Sequence, residues 1–114
     1  MSDASRFLPL THLLYAVLLS LVEQPDHPYR LVQRIRERSD GRVDPGTGSF
    51  YSVLARAERQ GLIREGRSQQ NARRRIYEIS ALGRRVLEAE ADRMARQLRD
   101  TRAAMQRPAG RKAT

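Results

Sequence analysis

The sequence contains no cysteine and no tryptophan, and its only lysine is Lys112. Aromatics are scarce, with two phenylalanines and four tyrosines, and there are two histidines. Without thiols there are no disulfides, thiolate metal sites or cysteine nucleophiles, and a reducing compartment is allowed. His12 and His27 stand too far apart in sequence to make a metal-ligand spacing, so no metal site is expected. Carboxylates are scattered along the chain with no paired acid and base. No glycine loop suits a phosphate cradle, and Ser20, Ser49 and Ser52 stand in no nucleophile motif. No catalytic residue and no cofactor are expected, and the chain is read as a non-enzyme. The most apolar run, Leu13 to Val22, is too short for a bilayer and is broken by Ser20. No basic leader with a cleavage site accompanies it. The expectation is a cytoplasmic protein without a membrane partner.

What is abundant is arginine. Lys and Arg total 22 against 13 Asp and Glu, a formal charge of +9 over 114 residues. That balance points to an anionic partner, nucleic acid first and an acidic protein second. Arginine suits bidentate contacts to phosphate and guanine. Too few aromatics are present to stack the bases of single-stranded RNA, which ranks RNA last.

Residues 1–7 read as a flexible leader. From Pro9 to Gln24 the chain is apolar on nearly every side, so a first helix there needs cover all round. One small domain covers one face only, which hints at a dimer. His27 or Asp26 can cap a second helix over Pro28 to Ser39, with Pro28 at its first position. Tyr29, Leu31, Val32 and Ile35 form its apolar stripe, with Arg30, Arg34, Arg36 and Arg38 outward. The turn-rich DGRVDPG follows. A third helix over Thr47 to Gln60 turns Phe50, Val53, Leu54 and Ala57 inward. Thr47 is its expected N-cap and Gly61 its stop. Two strands are predicted at Leu62 to Ser68 and Arg75 to Ile79, joined by the basic tip QQNARR. Ser80 caps a last helix reaching Gln106, with a heptad-like seam of Leu87, Ala91, Met94, Leu98, Thr101 and Met105.

Three helices, a hairpin and a long helix make a mainly α fold with a small β-hairpin. This is the order of a winged helix-turn-helix over residues 8–79, followed by a C-terminal dimerisation helix at 80–106 and a disordered basic tail at 107–114. In such a unit the third helix enters the major groove and its early residues reach base edges. The candidate contacts are Thr47, Ser49, Tyr51, Ser52 and Arg56 on that helix, with Tyr29 at the start of the second. Arg73, Arg74 and Arg75 sit on the wing, where three adjacent guanidiniums need an anion, and Arg67 joins the same patch. The bland alternative is a capped helix and a solvated charge cluster.

These residues resemble PadR-type transcriptional regulators, over Leu8 to Met105. The resemblance rests on LLYAVLLSLV, HPYRLVQRI, TGSFYSVLARAERQGLI and RRRIYEISALGRRVL. Gly48, Ser49, Tyr51, Leu54, Gly61, Leu62 and Ile63 carry most of it, followed by Tyr77, Ser80 and Gly83. The chain departs from the usual pattern at Pro28, where glycine is common, at Ala57, where leucine is common, and at Asn71-Ala72-Arg73, where Gly-Arg-Pro is common.

The resemblance implies double-stranded DNA as partner and a homodimeric repressor of the compact branch, with one C-terminal helix. That helix would pack on the first helix of its own and the partner subunit. The interface expected is Leu13, Leu14, Val17, Leu21, Leu87, Ala91, Met94, Leu98 and Met105. Some relatives hold aromatic effectors between subunits, often with tryptophan; here only Phe7 and Tyr15 stand near the expected interface, so an effector has no support from the sequence. A competing reading is a winged-helix adaptor that binds an acidic protein.

Overall fold

The computed structural model describes residues 3–68 and 74–108, with Asp3 and Thr47 described by their backbone alone. A 3₁₀ turn at Asp3–Phe7 precedes α1 (His12–Glu23), α2 (Pro28–Arg38), α3 (Thr47–Arg59), β1 (Ile63–Arg67), β2 (Arg75–Ile79) and α4 (Ala81–Met105). The expected winged architecture is present.

Residues 3–7 are not a loose leader. Ala4 is buried in the core, Phe7 packs against it, and the 3₁₀ turn lies on α4. Helix α1 begins later than Pro9 because Thr11 caps it, its hydroxyl accepting from Leu14 N–H at 3.2 Å. That satisfies one of the orphan donors of the first turn. Val17, Leu18, Ser20 and Leu21 form its buried face.

Between α1 and α2 the chain is extended at Asp26, which exchanges two backbone hydrogen bonds with Tyr77 at 3.1 and 2.8 Å. This isolated bridge adds a third short strand position beside β2 and ties the wing to the start of α2. His27 is the N-cap of α2 but makes no side-chain capping bond, and Pro28 supplies the first turn. Leu31 and Ile35 are buried, whereas Tyr29 is 68% exposed and leaves the expected stripe. Arg34 also departs from expectation. Its guanidinium turns inward to Asp26 at 3.3 Å, Glu23 at 2.9 Å and the Ser20 carbonyl at 2.8 Å, locking α2 to α1.

Helix α3 starts one residue before expectation would cap it: Gly46 is the N-cap and Thr47 the first helical residue. Phe50, Leu54 and Ala57 are buried and Val53 half-buried. Its end is a Schellman motif. Leu62 N–H bonds the Ala57 carbonyl and Gly61 N–H the Glu58 carbonyl, with Gly61 at φ +79. The left-handed backbone there favours glycine, and the buried Leu62 completes the motif.

The hairpin strands pair antiparallel with Ile63 opposite Ile79 and Arg67 opposite Arg75. Ser80 caps α4, its hydroxyl accepting from Gly83 N–H at 3.0 Å. Gly83, Val86 and Glu90 bury the first half of that helix on the domain. The buried Glu90 carboxylate accepts from Leu10 N–H at 2.9 Å and pairs with Arg93. The hydrogen bond from Arg93, helped by the Leu10 amide, outweighs burial and holds this carboxyl below its ordinary range.

Candidate nucleic-acid interface

Helix α3 is a short amphipathic element whose inner face is consumed by the core. Because Phe50, Leu54 and Ala57 point inward, the helical repeat places Ser49, Ser52, Arg56 and Arg59 together on an outer strip. All four are exposed. Among the described residues neither Arg56 nor Arg59 has a carboxylate within ion-pair distance. Between this strip and the start of α1 lies an open groove of about 860 Å³, with Thr11 and Leu14 on its far wall.

Tyr51 occupies the other flank of α3. It is 51% exposed and rests edge-on against the buried Phe50 ring, with centroids 5.5 Å apart and planes at 73°. Its flank faces a second, smaller hollow of about 340 Å³, bounded by His27, Pro28, Tyr29, Tyr51, Arg74 and Arg75. The Asp26–Tyr77 bridge is what brings the wing this close to α2. Arg74 Nη1 lies 3.3 Å from His27 Nε2.

The wing's cations are not equivalent. Directly opposed like charges destabilise an antiparallel pair, and Arg67 and Arg75 face each other across the hairpin. Glu65 relieves this by accepting from Arg75 Nε at 2.9 Å and Arg67 Nη1 at 3.1 Å. Arg75, with Arg67 behind it, holds the Glu65 carboxyl below the usual carboxylate range. Arg64 is likewise paired with Glu78 at 2.8 Å. The expectation of three arginines awaiting an anion is therefore corrected at Arg75, which already has one in Glu65, and Arg67, the fourth member of the patch, shares that carboxylate. Arg74 has no carboxylate partner among the described residues, while Arg73 and the Thr47 side chain lie outside them.

The expected dimer surface also needs correction. Val17 and Leu21 are wholly enclosed in their own subunit's core and have no surface for a partner. Leu14 lines the groove beside α3, and Leu13 is half-buried against the core. The outward side of α1 carries Tyr15, Leu19 and Val22 instead. These meet Leu87 and Ala91 of α4 along a hollow of about 480 Å³. Farther along α4, Leu98 is 52% and Met105 80% exposed. The sequence places Tyr15 near the expected interface but not Leu19 or Val22, because α1 is apolar on both sides. Once Leu18 and Leu21 are placed inward, the repeat puts those three outward. His27, read from the sequence as a possible cap, lines the hollow beside Tyr29 and Tyr51.

Among the described residues there is no cluster of three or more His, Asp or Glu side chains that could hold a metal. Nor is any helix long and apolar enough to cross a membrane.

A three-helix unit closed by a two-stranded wing, with an exposed basic third helix, defines a winged-helix transcription regulator. The chain belongs to the Transcriptional regulator PadR-like family, which it matches over residues 17–89. Members of that family are regulators and not enzymes. The fold is similar to that of a transcriptional regulator from Clostridium thermocellum, with a TM-score of 0.69 at 20% identity, over 90% of this chain and 95% of that one. It is also similar to a PadR-like transcription factor from Bacteroides fragilis, with a TM-score of 0.63 at 23% identity, over 82% and 88% of the two chains. An uncharacterised 37.1 kDa protein of a Streptomyces fradiae transposon is 38% identical over 80 residues, which are 70% of this chain. The chain spans only 22% of that protein's length.

Proposed function

We propose that the protein is a dimeric, sequence-specific DNA-binding repressor. It lays α3 in the major groove and residues 68–75 of the wing along the flanking minor groove. The observation that carries this reading is the outer strip of α3. Two hydroxyls and two guanidiniums share one exposed face, and no carboxylate of the described chain neutralises them. Ser49 and Ser52 are short enough to let the helix approach base edges. Arg56 has the length and the bidentate fork for guanine or phosphate. Thr47, Tyr51 and Tyr29 flank the strip, and Arg73 and Arg74 supply the wing's charge. Arg67 and Arg75 contribute less, because Glu65 offsets them.

The second copy would cover the apolar surface of Tyr15, Leu19, Val22, Leu87 and Ala91, with Met94, Leu98 and Met105 extending the seam. Two reading helices then address half-sites one or two turns apart, roughly 34 Å per turn. Occupancy of a promoter by such a dimer is what would repress it.

The test is selection of bound fragments from genomic DNA, followed by anisotropy titration of the recovered duplex. If about eight phosphates are neutralised, log K falls against log salt with a slope near about −7. Ser49→Ala with Arg56→Ala should lower affinity for the selected duplex by about tenfold or more, as expected for losing a base contact, and far less for a random one. Equal losses on both duplexes would remove α3 as the reading element. Arg74→Ala should weaken both alike.

A further inference from the structure

The cleft between α2 and the wing differs in chemistry from the α3 strip. We propose that it seats a single backbone phosphodiester and that His27 is a proton-dependent ligand of that phosphate. The inference rests on the reading of α3 as the DNA-facing helix, since the cleft lies on the opposite flank of that same helix, beyond Tyr51.

The cleft offers groups that suit a phosphate oxygen: the imidazole of His27, the phenols of Tyr29 and Tyr51, and the guanidinium of Arg74. Both phenols are largely exposed. The carboxylates nearest the cleft are already committed. Asp26 Oδ1 accepts from the backbone N–H of His27 at 2.9 Å, and its Oδ2 faces Arg34 at 3.3 Å and Arg30 at 4.0 Å. Glu65 holds Arg75 and Arg67. Glu58, two turns along α3 from Tyr51, is exposed, makes no ion pair among the described residues and acts on Arg75, but it does not line the cleft, so within the lining itself an entering phosphate meets donors.

The groups facing the imidazole decide its proton. From the wing come Arg74 and Arg75, from α3 Tyr51, and from its own segment Asp26, Tyr29 and Arg30. A guanidinium has donors only. The 3.3 Å approach of Arg74 Nη1 to His27 Nε2 is thus a hydrogen bond only when Nε2 carries no proton. A phosphate oxygen is a better acceptor for Arg74 than an imidazole nitrogen, because it is charged. When Arg74 turns to it, Nε2 is released, takes one proton from solvent and donates to the same anion. Imidazole is the group of this set that changes charge between about pH 5 and 8. Duplex binding then carries uptake of one proton per cleft, and affinity rises as pH falls across that range.

The experiment uses the full chain and a selected duplex at pH 6.0 and 8.0, at one ionic strength. The wild type should bind at least about tenfold tighter at the lower pH, since one proton taken up per cleft over two pH units gives at most about 100-fold for each cleft. His27→Gln, which keeps a polar side chain at a position that makes no side-chain capping bond to α2, should bind with no more pH dependence than the buffer control. Arg74→Ala should weaken binding at both pH values. A neutral methylphosphonate scanned along the backbone should abolish the pH response at one position per half-site. Millimolar inorganic phosphate without DNA serves as the other source of the same oxyanion. A shift of the His27 ring resonances with duplex and not with phosphate alone marks a site that needs the docked backbone. A full response to phosphate alone would overturn assignment to the duplex. Equal pH dependence in wild type and His27→Gln, with duplex binding intact, would overturn the cleft while leaving the α3 reading in place. Loss of all duplex affinity in the wild type would remove both.

Discussion

The two halves of α4 share one helix and have opposite surroundings. From Ala81 to Glu90 the helix lies on its own domain, with Gly83, Val86 and Glu90 buried. From Ala95 to Met105 every residue is exposed, yet Leu98 and Met105 continue the apolar line that Leu87 begins. Arg96, Arg99 and Arg102 lie off that line. A helical segment of about a dozen residues has little stability of its own in water. What covers the first half is visible in the subunit; the second half continues a helix already nucleated there, and its apolar line is what the proposed second copy would cover. The contrast separates folding from assembly along a single element.

The largest effect should come from the first half. A Cβ on Gly83 would drive into the Leu62 carbonyl oxygen and stand 2.7 Å from Ile79 Cγ1. Neither atom can move without displacing the junction of α3, β1 and β2. Gly83→Val should cost about 3 kcal/mol or more, the upper range for overpacking, read as a lower urea midpoint. Retention of wild-type stability would mean that α4 does not dock as described. Leu98→Asp tests the other half. Subunit stability should stay within about 0.5 kcal/mol, as for surface substitutions generally. Dimer dissociation measured by sedimentation should rise by about 100-fold, because a charge placed in an apolar seam is left unpaired. A Leu98→Asp protein that remains dimeric at wild-type concentrations would place the interface elsewhere.

Much of this contrast is legible in the sequence, and the reasons are physical. Local rules place α3, the Schellman stop at Gly61, the hairpin and the Ser80 cap, because each depends on residues within a few positions. The heptad-like spacing after Leu87 likewise announces a seam. The missed features depend on distance. Ala4 and Phe7 look like a leader until α4 passes beneath them. Glu90 looks like a surface partner of Arg93 until the Leu10 amide, eighty positions earlier, is brought to it. Arg34 belongs to a row of arginines that all look alike; only the fold brings Asp26, Glu23 and the Ser20 carbonyl to that one. The division of the wing into paired and unpaired cations depends on register, which sets Arg67 against Arg75 and makes Glu65 necessary. Ser49, Ser52 and Arg56 of the α3 strip are legible before folding, but the flank facing His27 needs the Asp26–Tyr77 bridge.

A smaller effect is expected where the buried half meets the N-terminal turn. Glu90→Gln keeps an acceptor for Leu10 N–H and removes the ion pair with Arg93. It should cost about 1.5 kcal/mol, the low end for a hydrogen bond to a charged group, because the Arg93 partner can reach water. The pH dependence follows from the lowered carboxyl. A folded-state value below the unfolded one stabilises the protein above the unfolded value, about 4.3 for glutamate, and that stability is lost as pH falls through the folded value. Glu23 and Glu65 are lowered too and act in the same direction. Wild-type stability should thus decline below about pH 4, while Glu90→Gln should decline less steeply without becoming flat. An unchanged acid slope in Glu90→Gln would show that the N-terminal turn is not held by this carboxylate.

The smallest effect should lie at the far end of the bare half. Met105 closes α4 and, among the described residues, is the most exposed of the large apolar side chains, at 80%. Helix ends fray, and a side chain there gains less from cover than one at the centre of a seam. Met105→Ala should change dimer dissociation by less than about threefold, under about 0.7 kcal/mol. Leu98→Ala, one heptad inward, should change it by about tenfold, as for an apolar anchor that is covered in the assembly. The ordering of these two substitutions locates the centre of the seam. If Met105→Ala proves the more damaging, the partner covers the terminal turn more completely than the middle of the bare half, and the line between folding and assembly on α4 moves toward its C-terminus.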